Sequence, residues 1–352
     1  MDVPNYWKTN LGEIEDTVKD VKNGEVNVYK SAGGRNIFMV EYGKKNIYER
    51  TANLSSAAGS GDIGCYADKT QPNVKPCLMI VGAMHGAEFE GTAAILNLIQ
   101  IMETGRDFLK EENAALKQAL NGVNLLLIPC LNPDGRARVP YRSVLGLSFE
   151  RFRYYAQGTW KNGSLAGWPD CKRVHPIKEA AGFLGAYYND DGINLMHDDF
   201  FNPMAAETKL LLDIADEYVP DAAILLHGGT NSENTLLQPK CVPLYYKEQV
   251  YKLSLELKKL CKQNGLSCRI KDIDKEDSKD KFIFDAVSAF TIKCGGLCAA
   301  YETNQGLDYG ELILGYEDIY KHHMLLFELM ARYVKKLNEG RKAEQPHCRN
   351  KK

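Results

Sequence analysis

The stretch Cys77–Met102, CLMIVGAMHGAEFEGTAAILNLIQIM, sets the reading of the rest of the chain. Leu78 to Val81 is a short apolar run with the length and composition of a buried strand, and it breaks at Gly82. His85 and Glu88 follow, three residues apart, and then Ala94, Ile95, Leu98, Ile99 and Met102 recur at helical spacing. Strand, tight loop and helix are therefore expected in that order. A junction at the carboxyl end of a strand is where open α/β sheets place their ligands. A His and a Glu at i and i+3 at the mouth of a helix point the same way, offering one imidazole nitrogen and one carboxylate to a single metal ion. An H-x-x-E pair arises easily by chance, so its weight comes from this placement and from the partners found downstream.

The chain around that stretch reads as an ordinary globular protein. Its 352 residues are 44% hydrophobic and 26% charged, enough to bury a sizeable core within one large α/β domain. A formal charge of −2 leaves no basic surplus, so neither nucleic acid nor a membrane surface is an expected partner. The first residues, MDVPNYWKTNLGEIEDTVKDV, lack the basic-then-apolar layout of a signal peptide, and a cytoplasmic location is expected, or export had a signal peptide been trimmed. The ten cysteines are scattered without a C-x-x-C pair, the nearest being Cys294 and Cys298. Reduced, mostly structural thiols are the expectation.

In chain order, Leu11, Ile14, Val18 and Val21 predict a packed helix over 9–22, and two runs flanking Ala32-Gly33-Gly34 predict a β-hairpin from Glu25 to Tyr42. Residues 51–75 read as a surface loop, 107–120 as a helix, and Val123 to Ile128 as a buried strand ending in the turn Asn132-Pro133-Asp134-Gly135. Residues 136–190 are dense in Arg, Tyr, Trp and Gly with little periodicity, which reads as a long insertion forming a lid or pocket wall. Ala205 to Tyr218 is a helix, and Ala222 to Leu226 a short strand that ends at His227. Lys247 to Lys262 is an amphipathic helix, 271–281 a solvated charge run, and Leu297 to Tyr301 a strand that delivers Glu302. A closing helix spans Asp318 to Leu337, and 341–352 reads as a disordered tail after a single domain over 1–340. Strand and helix alternate with no repeat, the pattern of a doubly wound α/β fold.

Four groups thus stand where strands end: His85, Glu88, His227 and Glu302. Two His and one Glu make a three-ligand set that leaves one position open on a zinc ion, as catalytic zinc requires. A nearby carboxylate can then take the proton of an activated water and return it to the leaving amine, and Glu302 is the candidate.

These features resemble the zinc carboxypeptidase family, the carboxypeptidase A-like metallopeptidases: H-x-x-E after one strand, Asn132-Pro133-Asp134-Gly135 after the next, a lone His after a third and a late Glu after a fourth, across roughly residues 30–335. The resemblance implies Zn2+ on His85, Glu88 and His227, Glu302 as general base, and a peptide or acyl-amino-acid substrate. It also implies a three-layer αβα fold around a mixed, mostly eight-stranded twisted sheet, the architecture of zinc-dependent exopeptidases. The family places an arginine to hold the oxyanion, in several branches seven residues after the turn's glycine. Arg142, followed by Ser143, fits that spacing, with Arg138, Arg151 and Arg153 as alternatives.

The chain departs from the family at Gly192–Asp199, GINLMHDD, where the family reads G-x-D-L-N-R. Its Asn and Arg, which grip a substrate's terminal carboxylate, fall on Met196 and His197, and no tyrosine stands about twenty residues before Glu302 where carboxypeptidase A-like enzymes close the pocket. An imidazole cannot reproduce the guanidinium's bidentate fork. His197, Asp198 and Arg138 remain the candidate substrate-binding residues. Beside the carboxypeptidase reading stand a zinc amidohydrolase acting on acylated amino acids or cell-wall peptides, and a catalytically silent binding protein. His175, His322 and His323 are expected to be structural or exposed.

Overall fold

Leu78 and Ile80 face one hydrophobic core while Met79 and Val81 face another. The same two-residue alternation recurs at Leu125 and Leu127 against Leu126 and Ile128, and at Ile224 and Leu226 against Ala223 and Leu225. Strands buried on both faces alternate in this way between two layers of helices, so they read as unbroken apolar runs.

The structure, a computed structural model, describes residues 2–230, 233–273, 283–309 and 313–343. In chain order its elements are α1 (Leu11–Lys19), β1 (Glu25–Lys30), β2 (Asn36–Tyr42), α2 (Leu54–Ser60), β3 (Cys77–Val81), α3 (Glu90–Thr104), α4 (Ala114–Leu120), β4 (Asn124–Ile128), α5 (Pro133–Ala137), α6 (Phe149–Gln157), β5 (Gly158–Trp160), β6 (Ala181–Leu184), α7 (Ala206–Tyr218), β7 (Ala222–Thr230), β8 (Thr235–Leu237), α8 (Leu244–Gln263), α9 (Ala286–Cys294), β9 (Leu297–Asn304) and α10 (Tyr316–Ala343). The main sheet runs β1-β2-β4-β3-β7-β9-β8, and β5 and β6 form a separate antiparallel pair. β4, β3, β7 and β9 are parallel neighbours, flanked by antiparallel β1, β2 and β8. Four carboxyl ends therefore open along one edge. β3 lies between β4 and β7, so the chain order reverses there and leaves a crevice beside its end.

α1, α3, α4, α8 and α10 cover one face, and α2, α7 and α9 the other. α1 starts with a reciprocal capping box, the Asn10 side chain accepting from the Glu13 amide while Glu13 reaches back to the Asn10 amide. α3 approaches β7 so closely that a Cβ at Gly91 would stand 2.6 Å from the Leu226 side chain, which only glycine permits.

The expected mixed αβα sandwich is present, with seven strands in the main sheet among the described residues in place of eight. The segment 51–75, expected as loop, contains α2, capped by Asn53 and closed by Gly61 at a φ of 77°. Only Ala114–Leu120 of the expected helix over 107–120 is helical. The segment Asn132-Pro133-Asp134-Gly135, expected as a turn, opens α5, and the unpatterned 136–190 carries the end of α5, α6 and the β5-β6 pair. α10 continues to Ala343, three residues into the segment read as tail; 344–352, like 274–281 of the charge run, lie outside the described residues. No disulfide joins any of the nine described cysteines, and no described helix is long and apolar enough to cross a membrane.

Candidate metal centre and active site

After β3 the chain turns through Ala83, whose φ of 43° is left-handed although the residue carries a Cβ. Such a conformation costs about 1–2 kcal/mol and persists only where the surroundings fix it. Here the turn after β4 does so: the Leu131 amide donates to the Gly82 carbonyl and the Asn132 amide to the Ala83 carbonyl, each at 3.0 Å. Gly86 lies hard against the same turn, where a Cβ would stand 2.1 Å from the Arg136 nitrogen. The N-P-D-G sequence is thus the buttress of the loop that presents His85 and Glu88.

The structure brings His85, Glu88 and His227 together, with one ligand atom from each lying within 4.8 Å of the others. All three side chains are buried. His85 Nδ1 is 3.1 Å from both Glu88 carboxylate oxygens, and His227 Nδ1 is 3.0 Å from Oε2, which also accepts from the Gly228 amide at 3.2 Å. Burial pushes the Glu88 carboxyl up, but the two imidazoles outweigh it and hold it down at about 2. An ionised carboxylate between two imidazole nitrogens is the donor set of catalytic zinc, and these residues fit that ion.

His85 is also held from behind. Its Nε2 lies 3.2 Å from Asn194 Oδ1, an oxygen that accepts from the Met196 amide at 3.0 Å. The amide's carbonyl end therefore faces the ring, which keeps the proton on Nε2 and leaves the Nδ1 lone pair for a cation. The Asn194 backbone N–H donates to His175 Nε2 at 2.9 Å. The ring of Tyr187 stacks on His85, with centroids 4.1 Å apart and planes 14° from parallel.

Glu302 stands beside this set because β7 and β9 pair His227 with Glu302. Burial pushes its carboxyl up to about 7, with His227 pulling it down and Glu88 adding to the rise. His197 also belongs to the neighbourhood. Burial, then the charges of Lys172, His85, His175 and His227, lower its imidazole to about 3, so at neutral pH it is uncharged.

The remaining expected site residues are engaged elsewhere. Arg142 pairs with Glu13 at 2.7 Å and donates to the Trp7 carbonyl at 3.2 Å, which fixes it on the N-terminal segment. Arg138 pairs with Asp190 and donates to the Tyr188 carbonyl. Asp198 accepts from the amides of Asp199, Met204 and Ala205, tying down the loop that leads into α7. Sequence reasoning passed over Asn194 and Tyr187: Asn194 stands in the GINLMHDD stretch at the position of the family motif's Asp, and Tyr187 sits in the unpatterned insertion, where no spacing singles it out. His322 and His323 are buried in α10, with His323 Nδ1 2.8 Å from the Ile319 carbonyl.

Residues 20–178 match the family model described as zinc carboxypeptidase. Among solved structures, a metallo-carboxypeptidase from Burkholderia cenocepacia is similar at a TM-score of 0.58 and 12% identity, over 93% of this chain and 70% of that one. A metallo-carboxypeptidase from Pseudomonas aeruginosa, in complex with (2-guanidinoethylmercapto)succinic acid, is similar at 0.52 and 12% identity, over 92% and 68%. No curated protein sequence matches the chain. Identity this low speaks for the fold alone, and the chemistry rests on the side chains. With a sequence match over residues 20–178, a similar fold over almost the whole length and a His-Glu-His set at the crevice, the chain resembles the zinc carboxypeptidase family as a divergent relative.

Proposed function

We propose that the protein is a carboxypeptidase-type peptidase that cleaves a peptide or amide bond by water attack, with Glu302 as general base. The observation that carries this reading is the adjacency of Glu302 to a buried set of two imidazoles and a carboxylate. Bound by His85, Glu88 and His227, zinc would supply Lewis acidity and bring the pKa of water towards neutrality. Glu302 accepts the proton of the attacking water and delivers it to the leaving nitrogen. Burial pushes the Glu302 carboxyl up in the metal-free site, which makes it a better proton acceptor than an exposed carboxylate. Asn194 and Tyr187 keep the His85 ring in place behind the ligand atoms.

At the substrate end the uncharged His197 offers no fork for a terminal carboxylate. That favours a substrate whose recognition does not depend on a free C-terminus, and keeps the amidohydrolase of acylated amino acids or cell-wall peptides as a second reading. A silent binding protein is disfavoured, because a carboxyl buried beside another carboxylate is costly and serves no purpose in a mere binder. The test pairs metal analysis with a screen of peptides bearing free, amidated and N-acylated ends. Wild type is expected to hold stoichiometric zinc, to lose hydrolysis on chelation and to regain it with zinc, while His227→Ala holds little. Equal, substoichiometric zinc in both proteins would overturn the ligand assignment.

A further inference from the structure

Every arginine of the 136–153 segment is already anchored. Arg136 donates to the carbonyls of Thr9, Val139 and Tyr141, and its guanidinium lies 4.3 Å from the Phe89 ring centre. Arg138 is taken by Asp190 and Arg142 by Glu13. Arg151 donates to the Tyr141 hydroxyl at 2.7 Å, and Arg153 reaches Gln157 and lies over Phe149. None of these contacts is with His85, Glu88, His227 or Glu302. A site that attacks a carbonyl nonetheless needs a donor aimed at the charge that develops on the oxygen.

The side chain placed for that task is Tyr187. Its ring lies flat on His85, and its hydroxyl stands close enough to Glu88 and Glu302 for both charges to bear on it. It is also held in place by the backbone. The Gly86 amide, next to His85, donates to the Ala186 carbonyl at 2.7 Å, while the amides of Ala186 and Tyr187 donate to the carbonyls of Tyr155 and Ala156, both at 2.8 Å. Gly135 completes the clamp, since a Cβ there would meet the Ala186 carbonyl oxygen at 2.3 Å. A donor positioned before the reaction starts needs no reorganisation as charge builds, which is what makes such groups effective.

We propose that the Tyr187 hydroxyl donates the hydrogen bond that stabilises the oxyanion developing on the scissile carbonyl, in place of an arginine. The inference rests on the metallopeptidase reading above. In the structure the Glu88 charge bears on the hydroxyl. With Glu88 committed to a cation, the nascent oxyanion becomes the stronger acceptor within reach. No proton is transferred: the O–H bond stays intact, and the hydrogen bond shortens as the carbonyl carbon goes tetrahedral. Tyr187 is then a catalytic residue, and its stacking on His85 is what aims it.

Tyr187→Phe separates the two roles, because it keeps the ring on His85 and removes only the hydroxyl. The variant is expected to retain full zinc, to lose roughly 10²–10³-fold in kcat, as removal of one oxyanion donor typically does, and to leave KM little changed. A readout independent of turnover is the affinity of the zinc-loaded proteins for methylphosphonate, a tetrahedral oxyanion, by calorimetry; it should fall roughly tenfold or more in the Phe variant. A Phe variant equal to wild type in both kcat and methylphosphonate affinity overturns the proposal. So does a series in which only Tyr187→Leu, which also removes the stack, loses zinc and activity. A wild type inert toward every peptide whose methylphosphonate binding still depends on the hydroxyl defeats the peptidase reading and leaves the oxyanion site standing.

Discussion

His227 and Glu302 are register partners across the parallel β7-β9 ladder, so the candidate ligand and the proposed base are set side by side by backbone hydrogen bonds. Neighbouring strands lie about 4.8 Å apart, and partners in register point to the same side of the sheet. Their spacing therefore depends on the sheet and not on a loop. Glu88 is drawn to the same point from the β3 loop by His227 itself and by the Gly228 amide.

This rigidity gives Glu302→Gln a clear expectation. The amide keeps the shape and cannot accept water's proton, so zinc content and fold should be retained while turnover falls about 10²- to 10⁴-fold. The pH profile carries the sign. The base acts ionised, so kcat/KM of wild type should rise with pH along its acid limb. Burial sets that limb near 7 in the metal-free site, and a cation held by Glu88 and His227 would draw it lower. A Gln variant that hydrolyses an established substrate within a fewfold of wild type would show that the proton goes elsewhere.

Glu90 makes a separate prediction about stability. It is buried two residues after the candidate ligand Glu88, and burial pushes its carboxyl from 4.5 up to about 8, with the Gln305 hydrogen bond pulling down and the Glu88 charge adding to the rise. A carboxyl raised on folding contributes stability that is complete below its unfolded value and is lost as pH climbs through the folded one. Wild type should therefore lose stability between about pH 4.5 and 8 in a way that Glu90→Gln does not. The divergence is on the order of a few kcal/mol at most, since each pKa unit is worth about 1.4 kcal/mol. Urea unfolding of both proteins in the same metal state, below and above that window, measures it. Parallel pH dependences would mean that Glu90 is ionised throughout or unfolds with the same pKa.

The apolar runs were legible because a strand buried on both faces is a bounded apolar run, and the reactive residues stand where those runs stop, but β7 and β9 themselves run on to Thr230 and Asn304, past His227 and Glu302. That reasoning located His85, Glu88, His227 and Glu302. It could not see α9, because nearly every residue of Ala286–Cys294 is buried and no polar stripe marks a helical period. Nor could it see Tyr187 and Asn194, which reach His85 only because Gly86 and Gly135 let the insertion press against the β3 loop. Arg142 illustrates the opposite hazard. Its spacing from the turn fits an oxyanion arginine, but spacing along the chain says nothing of Glu13, which claims the guanidinium from more than a hundred residues away.

Substrate choice is where the chain leaves its relatives, and His197 is the place to test it. Half-buried, with the charges of Lys172, His85, His175 and His227 acting on it after burial, its imidazole is lowered to about 3 and stays neutral. A bound divalent cation would only add to that depression. His197 therefore cannot meet a carboxylate as imidazolium, and a neutral hydrogen bond fixes an anion far less firmly than a bidentate charged pair. Wild type is expected to discriminate weakly between free-acid and amidated peptides. His197→Arg should strengthen the preference for the free acid by roughly 10- to 100-fold, the worth of one charge-assisted hydrogen bond in a shielded site. The comparison is kcat/KM for matched free-acid and amidated substrates in both proteins. Lys172 works against the gain, since a second cation beside position 197 raises the cost of burying a guanidinium, so the variant's zinc content and melting temperature must be measured alongside. A wild type that already prefers the free acid by orders of magnitude, with the preference lost only on changing another residue such as Lys172, would place the carboxylate grip outside position 197.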